Sequence, residues 1–277
     1  MATERVTDER RAPDASSNGE PFDLTGRLID LSHPLSWHTP GWVGYPGMRL
    51  YYTQTLQTNR VVSQRIETSL HVGTHLDAPL HMASGGGDMA SIPLDRLCRE
   101  GVIVDISDQV GPWDEIKPHH ITDKIDVQRG DIVIYHTGFA RHYLGGEDED
   151  LTTYMCRHPG GGREFAEWIV EMDLAWTGSD TGSADHPMNT TIKNMRPDVR
   201  AEYERKIGMP VEDRWPDEDL FVMHYVPFPH GIVHAENVGG ELPSLGTVRC
   251  RIGAFPWRFV GGEASICRIV AFVDDRA

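Results

Sequence analysis

The chain has 277 residues, 39% of them hydrophobic, which suits one large domain or two small ones with a sizeable core. Acidic residues (42) outnumber Lys and Arg (26), and the net charge of −16 argues against nucleic acid as a partner, because phosphate binding needs clustered basic side chains. No apolar run approaches the roughly 18 residues of a membrane span, no basic-then-apolar leader opens the sequence, and four cysteines without a CxxC pair fit a reduced, cytoplasmic chain.

Residues 1–24 are polar, charged and aperiodic, and are expected to form a disordered arm ahead of a domain over 25–277. Leu28–Leu31 reads as a strand before the turn-forming His33-Pro34. The following loop sets Trp37, His38, Trp42 and Tyr45 among Pro and Gly. These four are candidates for an aromatic wall against a planar substrate; a rigid turn packing its own aromatics is the alternative.

Further along, Pro93–Arg99 suits one or two helical turns. Gly101–Ile106, Ile132–Tyr135 and the shorter Asp173–Thr177 read as strands. After Gly160–Gly162, the residues Phe165, Trp168, Ile169 and Met172 recur at helical spacing over Arg163–Met172. Pro197 opens a short polar helix within the charged, Pro-punctuated stretch 187–222. That stretch reads as an insertion: a lid, a subunit contact or a solvated excursion. Ala264–Val273 is a final strand. Strands outweighing a few helices predict a single-domain fold, α/β or α+β, with one main core.

The chemistry concentrates in His71-Val-Gly-Thr-His75-Leu-Asp77-Ala-Pro79-Leu-His81. Pro79 rules out one continuous helix. The even offsets place His71, His75, Asp77 and His81 on one face of an extended chain. A straight strand would still hold His71 and His75 about 13 Å apart, whereas two ligands of one ion need donor atoms within roughly 4 Å. The backbone must therefore bend, and Gly73 can do so by adopting positive φ. Three His and an Asp around a hinge Gly and a fixing Pro point to a metal site. A second patch, His224 to Asn237, holds His224, His230, His234 and Glu236.

The undecapeptide resembles the HxGTHxDxPxH signature of the cyclase family of metal hydrolases, which includes kynurenine formamidases and isatin hydrolases. Flanking features extend the resemblance from about residue 27 to 275: Asp30-Leu-Ser-His33-Pro34, Gly130-Asp131-Ile-Val-Ile, Gly178 to Asp185, and Gly231 with Glu236-Asn237. It implies a swivelling β/β/α-type fold, His71, His75 and Asp77 as metal ligands, and His81 as catalytic acid/base. The alternative for His81 is a fourth ligand. His224 and Glu236, twelve residues apart, match the pair that completes a two-metal site in the formamidase pattern; the isatin hydrolase pattern holds one manganese.

The expected activity is hydrolysis of a cyclic or aryl amide or lactam, by water activated on zinc or manganese, one ion or two. A lactone or cyclic diketone hydrolase with the same site, or a metal-binding regulator without turnover, are the competing expectations. A small, cyclic or aromatic substrate and a homo-oligomer are expected, with no nucleic acid or membrane partner.

Overall fold

The computed structural model describes residues 26–273; the expected N-terminal arm lies outside the described residues. In chain order the strands are β1 (Arg27–Asp30), a hairpin of β2 (Arg49–Gln54) and β3 (Ser63–Glu67), β4 (His75–Asp77), β5 (Cys98–Asp105), the short β6 (Glu115–Ile116), β7 (Ile132–His136), the short β8 (Gly160–Gly161), β9 (Trp176–Ser179), β10 (Val233–Glu236), β11 (Val248–Pro256) and β12 (Ala264–Val273). The main sheet runs β1-β12-β11-β5-β7-β9-β10-β4, and β12 also pairs with β4. That last pairing closes seven strands into a barrel and leaves β1 appended to its rim. The fold is thus mixed α/β and rich in strands.

The central strands β5, β7, β9 and β10 are parallel neighbours. Such strands are covered on both faces, which explains the apolar runs Val102–Val104 in β5 and Ile132–Tyr135 in β7. Alternation sorts their side chains. Ile103, Ile132, Ile134 and Trp176 join one buried cluster with β11 and β12 residues. Val102, Val104, Val133 and Tyr135 join a second, against Phe165 and Ile169 of the helix Arg163–Glu171.

The expected strands all form, Ala264–Val273 with the expected bounds and the others with shifted ends. Asp173 takes a left-handed turn (φ 48°), so the strand expected there starts only at Trp176. Seven of the twelve strands among the described residues escaped the sequence reading, β10 and β11 of the main sheet among them. β11 alternates buried Cys250, Ile252 and Ala254 with Arg249 and Arg251. β10 reads VHAE and buries its two polar residues.

Residues 187–222 carry several short helices. Pro197–Ile207 ends on left-handed Gly208, the usual stop for a helix. Its Val199 and Tyr203 are buried with Met188, Ile192, Trp113 and Trp215 in a third cluster, against which Trp42 packs. No helix among the described residues is long and apolar enough to cross a membrane.

Candidate metal centre

His75 and Asp77 lie two residues apart on β4, and His234 and Glu236 two apart on β10. The strands are antiparallel partners with Glu236 opposite His75, so the four side chains meet across one ladder. His71 precedes β4. Gly73 bends the chain between them at φ +60°, as the hinge argument requires. Pro79 starts a 3-10 turn ending at His81, which leaves the His81 ring 4.2 Å from that of His71. His224 sits on the short helix Val222–Tyr225, entered through a left-handed Phe221 (φ 58°).

Asp77 divides the histidines into two pairs. Its Oδ1 is 3.1 Å from His71 Nδ1 and 3.4 Å from His75 Nε2. Its Oδ2 is 3.5 Å from His224 Nε2 and 3.4 Å from His234 Nε2. Glu236 repeats the pattern. Its Oε2 lies 3.5 Å from His75, and its Oε1 lies 3.4 Å from His234 and 4.0 Å from His224. Each carboxylate therefore offers one oxygen to each pair, a geometry suited to bridging two cations about 3.5–4 Å apart.

All of these groups are buried. Both Asp77 oxygens and His234 Nε2 are sequestered from water and have no hydrogen-bond partner among the described residues. Orphaned buried polar atoms are costly and uncommon. Imidazole and carboxylate together are donors that suit zinc or manganese, so the residues present fit a divalent metal.

The electrostatics agree. Burial by itself would lower the His71 pKa, but the charge of Asp77, joined by Glu263, raises it to about 11. Burial likewise opposes charge on His224, and Asp185 with Asp77 overcomes it, to about 10. Burial disfavours the Asp77 and Glu236 carboxylates, yet the surrounding histidines hold Asp77 well below its usual range and Glu236 near about 2. Two adjacent buried carboxylates that stay charged demand positive charge beside them.

The remote ring nitrogens are anchored. His224 Nδ1 donates to Asp185 Oδ2 at 2.6 Å, and His75 Nδ1 to the Gly73 carbonyl at 2.9 Å. His71 Nε2 donates to Glu263 Oε2 at 2.6 Å. Glu236 Oε1 accepts from Ser183 Oγ and the Ala184 amide. Such outer contacts fix tautomer and ring direction in metal-binding histidines.

Above the cluster lies a cavity of about 30 Å³ lined by Trp42, Tyr45, His81, Met82, Phe221 and the acidic pair. Tyr45 stands edge-on to His71, and Trp42 contacts Tyr45 and Phe221. Trp37 and His38 are exposed and are not among the lining residues. His230 is exposed too, whereas His234 joins the cluster. Sequence reasoning gave no role to His234, Asp185, Ser183, Phe221 or Glu263. His234 carried a usable signal, its spacing of two from Glu236 on a strand.

The sequence matches the Cyclase family over residues 29–186. It is 25% identical to the kynurenine formamidase of Salinibacter ruber over 247 residues, covering 88% of this chain and 96% of that protein. It is 26% identical to the kynurenine formamidase of Bordetella avium over 179 residues, covering 63% and 80%. Isatin hydrolase A of Labrenzia aggregata has the same fold, with a TM-score of 0.68 at 20% identity over 91% of this chain and 95% of that one. With the family matched over more than half the chain and the histidine–carboxylate cluster in place, this chain belongs to the Cyclase family of metal-dependent hydrolases.

Proposed function

We propose that the chain hydrolyses a carbon–nitrogen bond of an aryl formamide or a fused aryl lactam. The observation that carries this is the pair of buried carboxylates, each facing both histidine pairs, with His81 next to His71 and Asp77. His71, His75 and Asp77 would hold one cation, and Asp77, His224, His234 and Glu236 a second. Zinc or manganese bound there supplies a Lewis acid for the carbonyl and lowers the pKa of water. His81 Nδ1 lies 2.9 Å from Glu263 Oε2, and in this reading the ring proton sits on Nδ1, toward that carboxylate. Its Nε2 then has a lone pair to take the proton of the attacking water and return it to the leaving nitrogen as the C–N bond breaks.

Trp42 and Tyr45, with Phe221, form the aromatic lining that excludes water from the reaction. This reading assigns no substrate contact to Trp37 or His38. A cavity of about 30 Å³ holds water-sized guests, so an aromatic substrate enters by displacing this lining, as lids elsewhere move. The formamidase relatives support an aryl formamide, and the isatin hydrolase neighbours support a lactam.

The test compares the wild type with Asp77→Ala and His81→Ala, measuring bound zinc and manganese alongside turnover of both substrate types. Asp77→Ala should lose metal and activity together, because it removes the ligand shared by both positions. His81→Ala should keep its metal and lose turnover by roughly 100- to 10,000-fold, the usual worth of a positioned acid/base. Full activity in metal-free protein would end the metal reading, and loss of metal from His81→Ala would make His81 a ligand.

The same reading includes one domain over 25–277 with 187–222 inserted, a cytoplasmic location in keeping with four free cysteines, and a homo-oligomer. Support for the last comes from the β2–β3 hairpin. A two-stranded ribbon is marginal alone in water, yet this one exposes Tyr51, Tyr52, Leu56, Val61, Val62 and Ile66. It also carries three arginines against one glutamate in a chain of net charge −16. An apolar, basic ribbon suits the acidic surface of a second copy.

A further inference from the structure

Glu263 stands just before β12, and its backbone carbonyl accepts from the Ala78 amide. That bond ties the residue to the end of β4, next to Asp77. From there a single carboxylate oxygen, Oε2, serves two histidines: it accepts from His71 Nε2 at 2.6 Å and is in ion-pair contact with His81 Nδ1 at 2.9 Å. The two rings lie 4.2 Å apart at 40°. Nothing in the sequence marks this contact, since Glu263 is about 190 residues from both histidines.

An imidazole has two nitrogens, and the one that carries the proton decides what the other can do. In the neutral ring that a metal requires, donation from His71 Nε2 leaves Nδ1 as the lone-pair nitrogen, and Nδ1 is the atom 3.1 Å from Asp77 Oδ1. Donation from His81 Nδ1 leaves Nε2 as its lone-pair nitrogen. We propose that Glu263 is a positioning residue that sets the tautomers of His71 and His81 together, presenting Nδ1 of the first to the metal and Nε2 of the second to the substrate. The proposal rests on the metal-hydrolase reading above. One acceptor thus couples the metal-holding histidine to the proton-carrying one, and a shift of the carboxylate disturbs both.

The competing account is a purely structural one, in which Glu263 only steadies the turn before β12. The backbone bond to Ala78 survives any side-chain substitution, so the side chain can be tested on its own. Glu263→Ala removes the acceptor, and Glu263→Gln keeps the shape and one accepting oxygen. The experiment reads three quantities in each variant and the wild type: zinc affinity by competition with a chelator, ring-nitrogen chemical shifts of labelled histidines in the zinc-loaded protein, and kcat separately from KM.

For Glu263→Ala, zinc affinity should fall about 10- to 100-fold, the usual cost of losing an outer partner of a ligand. The His81 ring should leave the Nδ1–H form, and kcat should fall more than KM rises. Glu263→Gln should recover most of the affinity and the Nδ1–H signal. Unchanged ring-nitrogen shifts and zinc affinity in Glu263→Ala would overturn the proposal, as would an equal loss in both variants with a lowered melting temperature. Asp77→Ala run beside them separates the premise from the inference. If Asp77→Ala still binds zinc as tightly as the wild type, the metal reading fails, whatever Glu263 does.

Discussion

Replacing Gly73 by Ala isolates the bend that brings His71 to His75. Gly73 has φ +60°, where an L side chain costs about 1–2 kcal/mol. The added Cβ would also stand 2.6 Å from Leu35 Cδ2 and 3.2 Å from Thr39 Cγ2. Leu35 is 39% exposed and can swing aside, which keeps the packing cost near the lower end of the usual roughly 1–3 kcal/mol. The sum is about 2–4 kcal/mol, a fall in melting temperature of roughly 4–8 °C for a chain of this size. Function should suffer more than stability. The Gly73 carbonyl accepts from His75 Nδ1, so any relaxation at the bend moves both ligands. Misplacement by about 1 Å costs catalysis on the order of 100-fold. Gly208→Ala is the control, with φ +73° and no atom of the described residues within 4 Å of its added Cβ. It should show the backbone cost alone and leave metal binding intact. Thermal melts and zinc titration of both variants decide the matter. A Gly73→Ala protein with wild-type zinc affinity would refute the hinge argument, and so would equal metal loss in Gly208→Ala.

Two further outcomes are expected. Burial, only partly offset by its bond to the Trp113 carbonyl, lowers the His186 pKa to about 3. Its Nδ1 accepts from the Met188 amide, so a second ring proton has no place. A histidine held neutral in the fold contributes stability that is fully present above its unfolded pKa near 6.5 and is lost as the pH falls from there toward 3. Chemical denaturation from pH 7 to 4 should show the wild type losing about 1.4 kcal/mol per unit more than His186→Gln below pH 6.5; parallel pH profiles would discard this. At the hairpin, Tyr52→Asp with Leu56→Asp should lower the mass measured by light scattering to that of a smaller assembly. An unchanged mass, or a monomeric wild type, would remove the ribbon as the contact.

What was legible in the sequence follows from distance along the chain. His71, His75, Asp77 and His81 fall within eleven residues, and the need to bring two imidazoles onto one ion forced a bend that Gly73 alone could supply. The structure places the bend there. Apolar strands such as Ile132–His136 declared themselves by β-branched runs. β10 did not, because at VHAE the barrel buries charge instead of hydrocarbon; a pattern search for apolar alternation passes over a strand whose inward face is His and Glu. The same fact explains why His234 looked like a loop histidine while being part of the cluster. Glu263 was beyond reach for another reason. Its partners are set by the β12–β4 pairing that closes the barrel, and closure is a property of the whole sheet that no local window contains. Here the closing strand brings in the carboxylate that orients both His71 and His81. The barrel's final pairing is therefore part of the active site's geometry as well as of the fold, and a substitution that loosens β12 from β4 should register first in metal affinity, before the core clusters on the far strands give way.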